Sequence, residues 1–172
     1  MTSAPPVTEP HTLRDPAYFA SPNAVRYWVL SAMVGSVIWC ALLIGAYYLF
    51  VPDSWKVWAG PVLVFLVAIS VVQVLVVPQW RYRVHRWEIT STAVYTRSGW
   101  LSVEQRIAPL SRVQTVDSER GPLMRLFNLA SITVTTASAA GPITIACLST
   151  QMADRMVAEL TAITSATEGD AT

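Results

Sequence analysis

Of the chain's 172 residues only 13% are charged and 53% are hydrophobic, against about 25% charged in an ordinary soluble domain, so an ordinary soluble enzyme is not expected. The net charge of +1 offers no electrostatic ground for nucleic-acid binding. Two cysteines, Cys40 in an apolar run and Cys147 near the end of the chain, do not make a disulfide framework.

Residues 1–24 hold Pro5, Pro6, Pro10, Pro16 and Pro22 with few aliphatic side chains, and are expected to be a disordered tail. The tail lacks a basic stretch followed at once by a short apolar core, so no cleaved signal peptide is expected. Residues 25–80 then read as a two-helix transmembrane hairpin. No Asp, Glu, Lys or Arg occurs from Tyr27 to Val51 or from Val57 to Trp80. At 1.5 Å per residue, a helix over 27–51 would be about 37 Å long, and a helix over 57–77 also spans a hydrocarbon layer of roughly 30 Å. Pro52 to Lys56 is expected to be the tight turn between them. Trp28, Trp55, Trp58 and Trp80 fall at the helix ends as interfacial anchors. Arg14 and Arg26 precede the first helix and Arg81, Arg83 and Arg86 follow the second, against Lys56 alone in the turn. That asymmetry places the protein in the cell membrane, multi-pass, with both termini cytoplasmic. Serine, glycine and alanine at four-residue spacing would let the helices approach closely, and the spans hold no ionisable group that would mark a transport path.

From Arg81 the periodicity changes to that of strands. Arg81 to Ile89 alternates with a break in parity, and Ala93–Ser98 and Leu101–Ala108 flank a Ser98-Gly99 turn as a hairpin. Val113–Glu119 is a fourth strand, Ile132, Val134 and Thr136 mark a fifth, and Ile143, Ile145 and Cys147 a sixth. Ser149 or Thr150 caps a final helix whose Ala153, Met156, Val157, Leu160 and Ile163 form one apolar stripe. An antiparallel sheet closed or covered by that helix is expected over residues 81–165, with 166–172 a disordered C-terminal tail.

The ordered set Arg81-Tyr82, Trp87-Glu88-Ile89-Thr90, Val94-Tyr95, Gly99, Ile107-Ala108-Pro109-Leu110, Arg112-Val113-Gln114, Gly121-Pro122-Leu123, Arg125, Phe127, Leu129-Ala130 and Val134 through Ser138 resembles the bacterial pleckstrin-homology-like (PH-like) domain of YdbS-like membrane proteins. The resemblance implies an α+β membrane protein: a transmembrane hairpin followed by a small antiparallel PH-like β-barrel of two packed sheets with a C-terminal helix. Six strands are counted where that fold has seven. Asn128 stands where such proteins often carry Gly. The family has no established activity, so the resemblance bears on fold and location far more than on function.

The sequence shows no phosphate loop, no nucleophile elbow and no paired carboxylates on an apolar wall; His11 and His85 have no metal-ligand spacing. No catalytic residue, metal or cofactor is expected. Two basic clusters remain. Arg81, Arg83, His85 and Arg86 lie against the bilayer as topogenic charge or as contacts to anionic lipid. Arg120 and Arg125 flank Gly121 to Met124, either solvated around a core plug or dipping into headgroups. Gln114 and Thr115 on the fourth strand, with Leu123 and Met124 at the following turn, are the candidate contacts for a membrane-protein partner or a second copy. The expected function is a non-catalytic binding or scaffold module at the cytoplasmic face; the alternative is an accessory subunit of a membrane transport or export complex in which the helix hairpin is the functional part.

Overall fold

The computed structural model describes residues 15–137 and 141–169, with side chains through residue 162. In chain order they form β1 (Tyr18–Phe19), α1 (Asn23–Phe50), α2 (Asp53–Val84), β2 (Arg86–Ile89), β3 (Ala93–Gly99), β4 (Val103–Pro109), a single 3-10 turn (Leu110–Arg112), β5 (Val113–Glu119), α3 (Pro122–Leu126), β6 (Leu129–Thr136), β7 (Ile143–Ser149) and α4 (Thr150–Gly169). Two antiparallel sheets result, ordered β1-β2-β3-β4 and β5-β6-β7.

The main core lies between the sheets and under α4. On β6, Ala130, Ile132, Val134 and Thr136 are buried while Ser131, Thr133 and Thr135 are only half-buried, the period of two that a one-sided strand requires. Ala153, Met156 and Leu160 bring the α4 stripe onto Ile132, Val134, Ile145 and Leu148, with Trp87 and Val94 closing the other side. Each such aliphatic side chain, fully buried, stabilises the fold by about 1.5–3 kcal/mol. Ser149 supplies the cap, its Oγ accepting from the Met152 N–H at 3.3 Å.

Several boundaries differ from those expected of the sequence, each for a physical reason. Residues 15–24 are not a tail. Tyr18 and Phe19 pair with Trp87 and Arg86, and Ala20 and Ala24 are buried. Residues 1–14 lie outside the described residues. The helix pair therefore does not precede the sheet domain; it is inserted between the domain's first and second strands. That first strand is the seventh one missing from the sequence count. At the other end, α4 continues through Gly169, into the expected C-terminal tail, and residues 170–172 lie outside the described residues.

The helices are longer than the charge-free runs, because α2 already begins at Asp53, which pairs with Lys56 at 2.6 Å, and carries on to Val84. Arg81 to Val84 is helix rather than strand. Keeping that last turn helical sets Arg81 over the Trp28 ring and Tyr82 against Phe19. The hairpin strand expected from Leu101 starts at Val103, because Gly99 turns the chain with φ +124 and a Cβ there would meet the Ser102 carbonyl oxygen at 1.9 Å. After α3, Asn128 adopts φ +53, the left-handed conformation that glycine would otherwise supply and that asparagine tolerates.

Candidate functional site

Where the helix pair joins the sheets, a second apolar cluster forms from Ala20, Ala24, Trp28, Leu129 and Cys147, with Tyr27, Tyr82, Met124 and Phe127 packed against it. The residue after β1 and side chains of α1, α2, α3, β6 and β7 contribute. Hydrogen bonds sew the same joint: Ser21 N–H donates to the Cys147 carbonyl at 2.9 Å, Asn23 Nδ2 to the Phe127 carbonyl at 3.2 Å, and Trp87 Nε1 to the Phe19 carbonyl at 3.1 Å. Cys147 sits at φ +57 where the β6–β7 register shifts, which turns its carbonyl toward Ser21. Burial pushes its thiol up to about 11, against the weaker pull of the Arg81 charge and a hydrogen bond with Trp28.

The members of the two basic clusters do different things. Arg81 stacks 4.7 Å from the Trp28 ring centre, and Arg86 lies 4.4 Å over Phe19. Arg86 also stands directly opposite Arg97, whose guanidinium bonds Asp15 at 2.5 Å. The Nε atoms of both arginines are buried without a protein partner beside a cavity of about 10 Å³, room for a single water and too small for a phosphate. Arg120 pairs with Asp154 on α4. Arg83 on α2 and Arg125 on α3 are exposed, and so is Arg26 on α1, which the sequence marked only as topogenic. Leu126, next to Arg125, is 74% exposed and so is not part of a plug.

Trp55, Trp58 and Trp80 are exposed, but Trp28 is not an interfacial anchor: it is 5% exposed, wedged between Arg81 and the His85 ring at 5.1 Å. Of the partner candidates, Gln114 and Thr115 are exposed on β5 beside a register shift, whereas Leu123 and Met124 are half-buried and Met124 packs in the joint. The aromatic side that β1 gives the joint is not recognisable by periodicity, because two strand residues are too few for a period; the adjacent aromatics Tyr18-Phe19, alone in a proline-rich stretch, are the available signal.

His85 donates through Nδ1 to the Arg81 carbonyl at 2.9 Å and is buried. Burial, then the neighbouring Arg81 charge, holds its pKa below the usual imidazole value. The unfolded chain thus takes up a proton that the folded chain resists. Stability is full above about pH 6.5 and falls as pH drops through that value. Thermal midpoints between pH 8 and pH 5 are expected to decline for the natural protein and to flatten in His85→Gln; parallel curves would exclude His85 as the cause.

A family model described as Bacterial PH domain matches residues 29–163. The chain belongs to the bacterial PH domain family. It is also 30% identical over 152 residues to the transmembrane protein YdbS of Bacillus subtilis, an alignment covering 87% of this chain and 94% of the relative. No solved structure matches it significantly. The chain is thus a YdbS-like membrane protein with a PH-like domain. The bacterial PH domain match opens inside α1 and leaves out β1, so the strand that closes the joint around the helix pair lies beyond the matched segment.

Proposed function

We propose that this protein is a non-catalytic binding and scaffold module at the cytoplasmic face of the cell membrane, with both helices crossing the bilayer and both termini cytoplasmic. Its PH-like domain holds anionic lipid headgroups at a basic collar and offers the exposed β5 residues Gln114 and Thr115 to a membrane-protein partner. The observation that carries this reading is the insertion of the helix pair between β1 and β2. Both helices leave the sheet domain at one joint, and the exposed Arg26, Arg83 and Arg125, with Leu126, are carried on the three helices that meet there. Each cation near an anionic leaflet contributes about 1 kcal/mol. The basic flanks facing a turn with Lys56 alone support the orientation.

The full-length protein in mild detergent is expected to retain phosphatidylglycerol over phosphatidylcholine in native mass spectra. That preference should shrink as salt rises, since exposed charges are screened over about 8 Å at physiological ionic strength. Arg26→Gln, Arg83→Gln and Arg125→Gln together should lower it by about tenfold or more. Equal retention of both lipids would overturn the electrostatic reading. In intact cells, Ser54→Cys should react with an impermeant thiol reagent and Ser118→Cys should not; the reverse would overturn the cytoplasmic placement. Cys147 cannot serve as the internal reporter, because it is buried.

A further inference from the structure

The turn between β3 and β4 gathers exposed apolar side chains. From Ser98 to Val103 the sequence is Ser-Gly-Trp-Leu-Ser-Val, with no charge between Arg97 and Glu104. Trp100 is 48%, Leu101 84% and Val103 47% exposed, three large apolar side chains side by side at one end of a hairpin. A contiguous apolar tip of this kind, on a domain whose core is otherwise covered, calls for a partner. The charges on either side are held back from it, Arg97 by Asp15 and Arg106 by Glu104 at 2.7 Å.

What covers the tip follows from where it stands relative to the helices. Trp100 lines a groove of about 610 Å³ whose other walls include Ala32, Ser36 and Trp39 of α1 and Ser70 and Gln73 of α2. Val77 completes that wall one turn beyond Arg81, and Ser70 lies eleven residues beyond it, so the groove runs about 6 to 16 Å past Arg81 along the helix. All of these helix residues belong to the charge-free runs. A side chain that shares their groove shares their surroundings.

We infer that the β3–β4 tip is a third membrane-embedded element, inserting Trp100 and Leu101 into the lipid of the domain-side leaflet alongside the helix pair. The inference rests on the reading that α1 and α2 cross the bilayer. A turn at that depth needs partners for its backbone polar groups, which lipid cannot provide. Groups able to hydrogen-bond line the same groove as Trp100: Ser36 and Gln73, a hydroxyl and an amide within otherwise apolar runs. Gly99 makes the tight reversal possible, because any side chain there would strike the Ser102 backbone. With α1, α2 and the tip all engaged, the domain has three attachment points. Three points fix its tilt and keep the collar arginines at headgroup level.

The test is spin-label depth measurement on the full-length protein in phosphatidylglycerol/phosphatidylcholine bilayers, in a Cys40→Ala background. Labels are placed by Leu101→Cys and Val103→Cys at the tip, Leu75→Cys in the helix span and Ser118→Cys on β5; Cys147 is retained because it is buried, with its residual labelling subtracted. The label at position 101 is expected to meet oxygen in preference to a water-soluble nickel complex, as at position 75, with position 103 shallower and position 118 reversed. If positions 101 and 103 both behave like position 118 while position 75 stays lipid-like, the tip lies in water and the inference fails, with the spanning reading intact. If position 75 also behaves as aqueous, the spanning reading fails and the inference falls with it.

Discussion

A chain beginning at Trp80, although it holds all six strands that the sequence displays, is expected to emerge as an aggregated or molten species rather than a folded monomer. The cut removes β1 and α1, and with them Ala20, Ala24 and Trp28 from the cluster around Leu129 and Cys147. Losing the Trp28 side chain alone costs about 3–5 kcal/mol. The Cys147 carbonyl loses the Ser21 amide and Trp87 Nε1 loses the Phe19 carbonyl, each leaving a polar group to be satisfied at about 1–3 kcal/mol. Small domains are stable by only about 5–15 kcal/mol, so these losses reach the whole of it. Size-exclusion chromatography with near-ultraviolet circular dichroism checks this. Joining residues 15–22 to His85 through a short glycine-asparagine loop should restore part of the ordered signal, because Phe19 already lies opposite Arg86 in a hairpin register. A cooperative, monomeric Trp80 chain would show that β1 and α1 are appendages and not part of the domain.

Trp28→Ala is expected to be the most damaging single substitution among the tryptophans at the helix ends. It opens a cavity against Arg81, His85 and Cys147, costing about 3–5 kcal/mol by packing, and it removes a cation–π contact of about 0.5–2 kcal/mol. The readout is Cys147. With its thiol pushed up to about 11, it is nearly all protonated at pH 8 and shielded, so alkylation of the natural protein in detergent should be very slow. Alkylation of Cys147 in Trp28→Ala should rise by about tenfold or more as the joint opens. Trp58→Ala, at a side chain 75% exposed, should leave that rate unchanged. Equal rates in all three proteins would mean that the joint does not depend on the indole.

Much of this molecule is local enough to be legible in one dimension. A charge-free run long enough to span is a property of consecutive residues, so both long helices and the gathering of arginines at their outer flanks can be read directly. The period of two on β6 and the 3.6 period of α4 are likewise local, which is why Ile132, Val134, Ala153, Met156 and Leu160 are identifiable as core from their spacing alone. Position in space is not local. β1 has two residues and no period, and only its pairing with Trp87 and Arg86, across the entire helix hairpin, makes it a strand. The same long-range closure moves Trp28 from the lipid interface to the domain's joint, spends Arg81 and Arg86 on aromatic faces, and ties Arg120 to α4. Arg26, Arg83 and Arg125, spread over a hundred residues of chain, are brought to one joint by packing. The place of Trp100 beside the helices follows from the length and direction of the β3–β4 hairpin. A linear pattern records which side chains are apolar; which apolar surface covers which is decided only when the chain folds back and buries it.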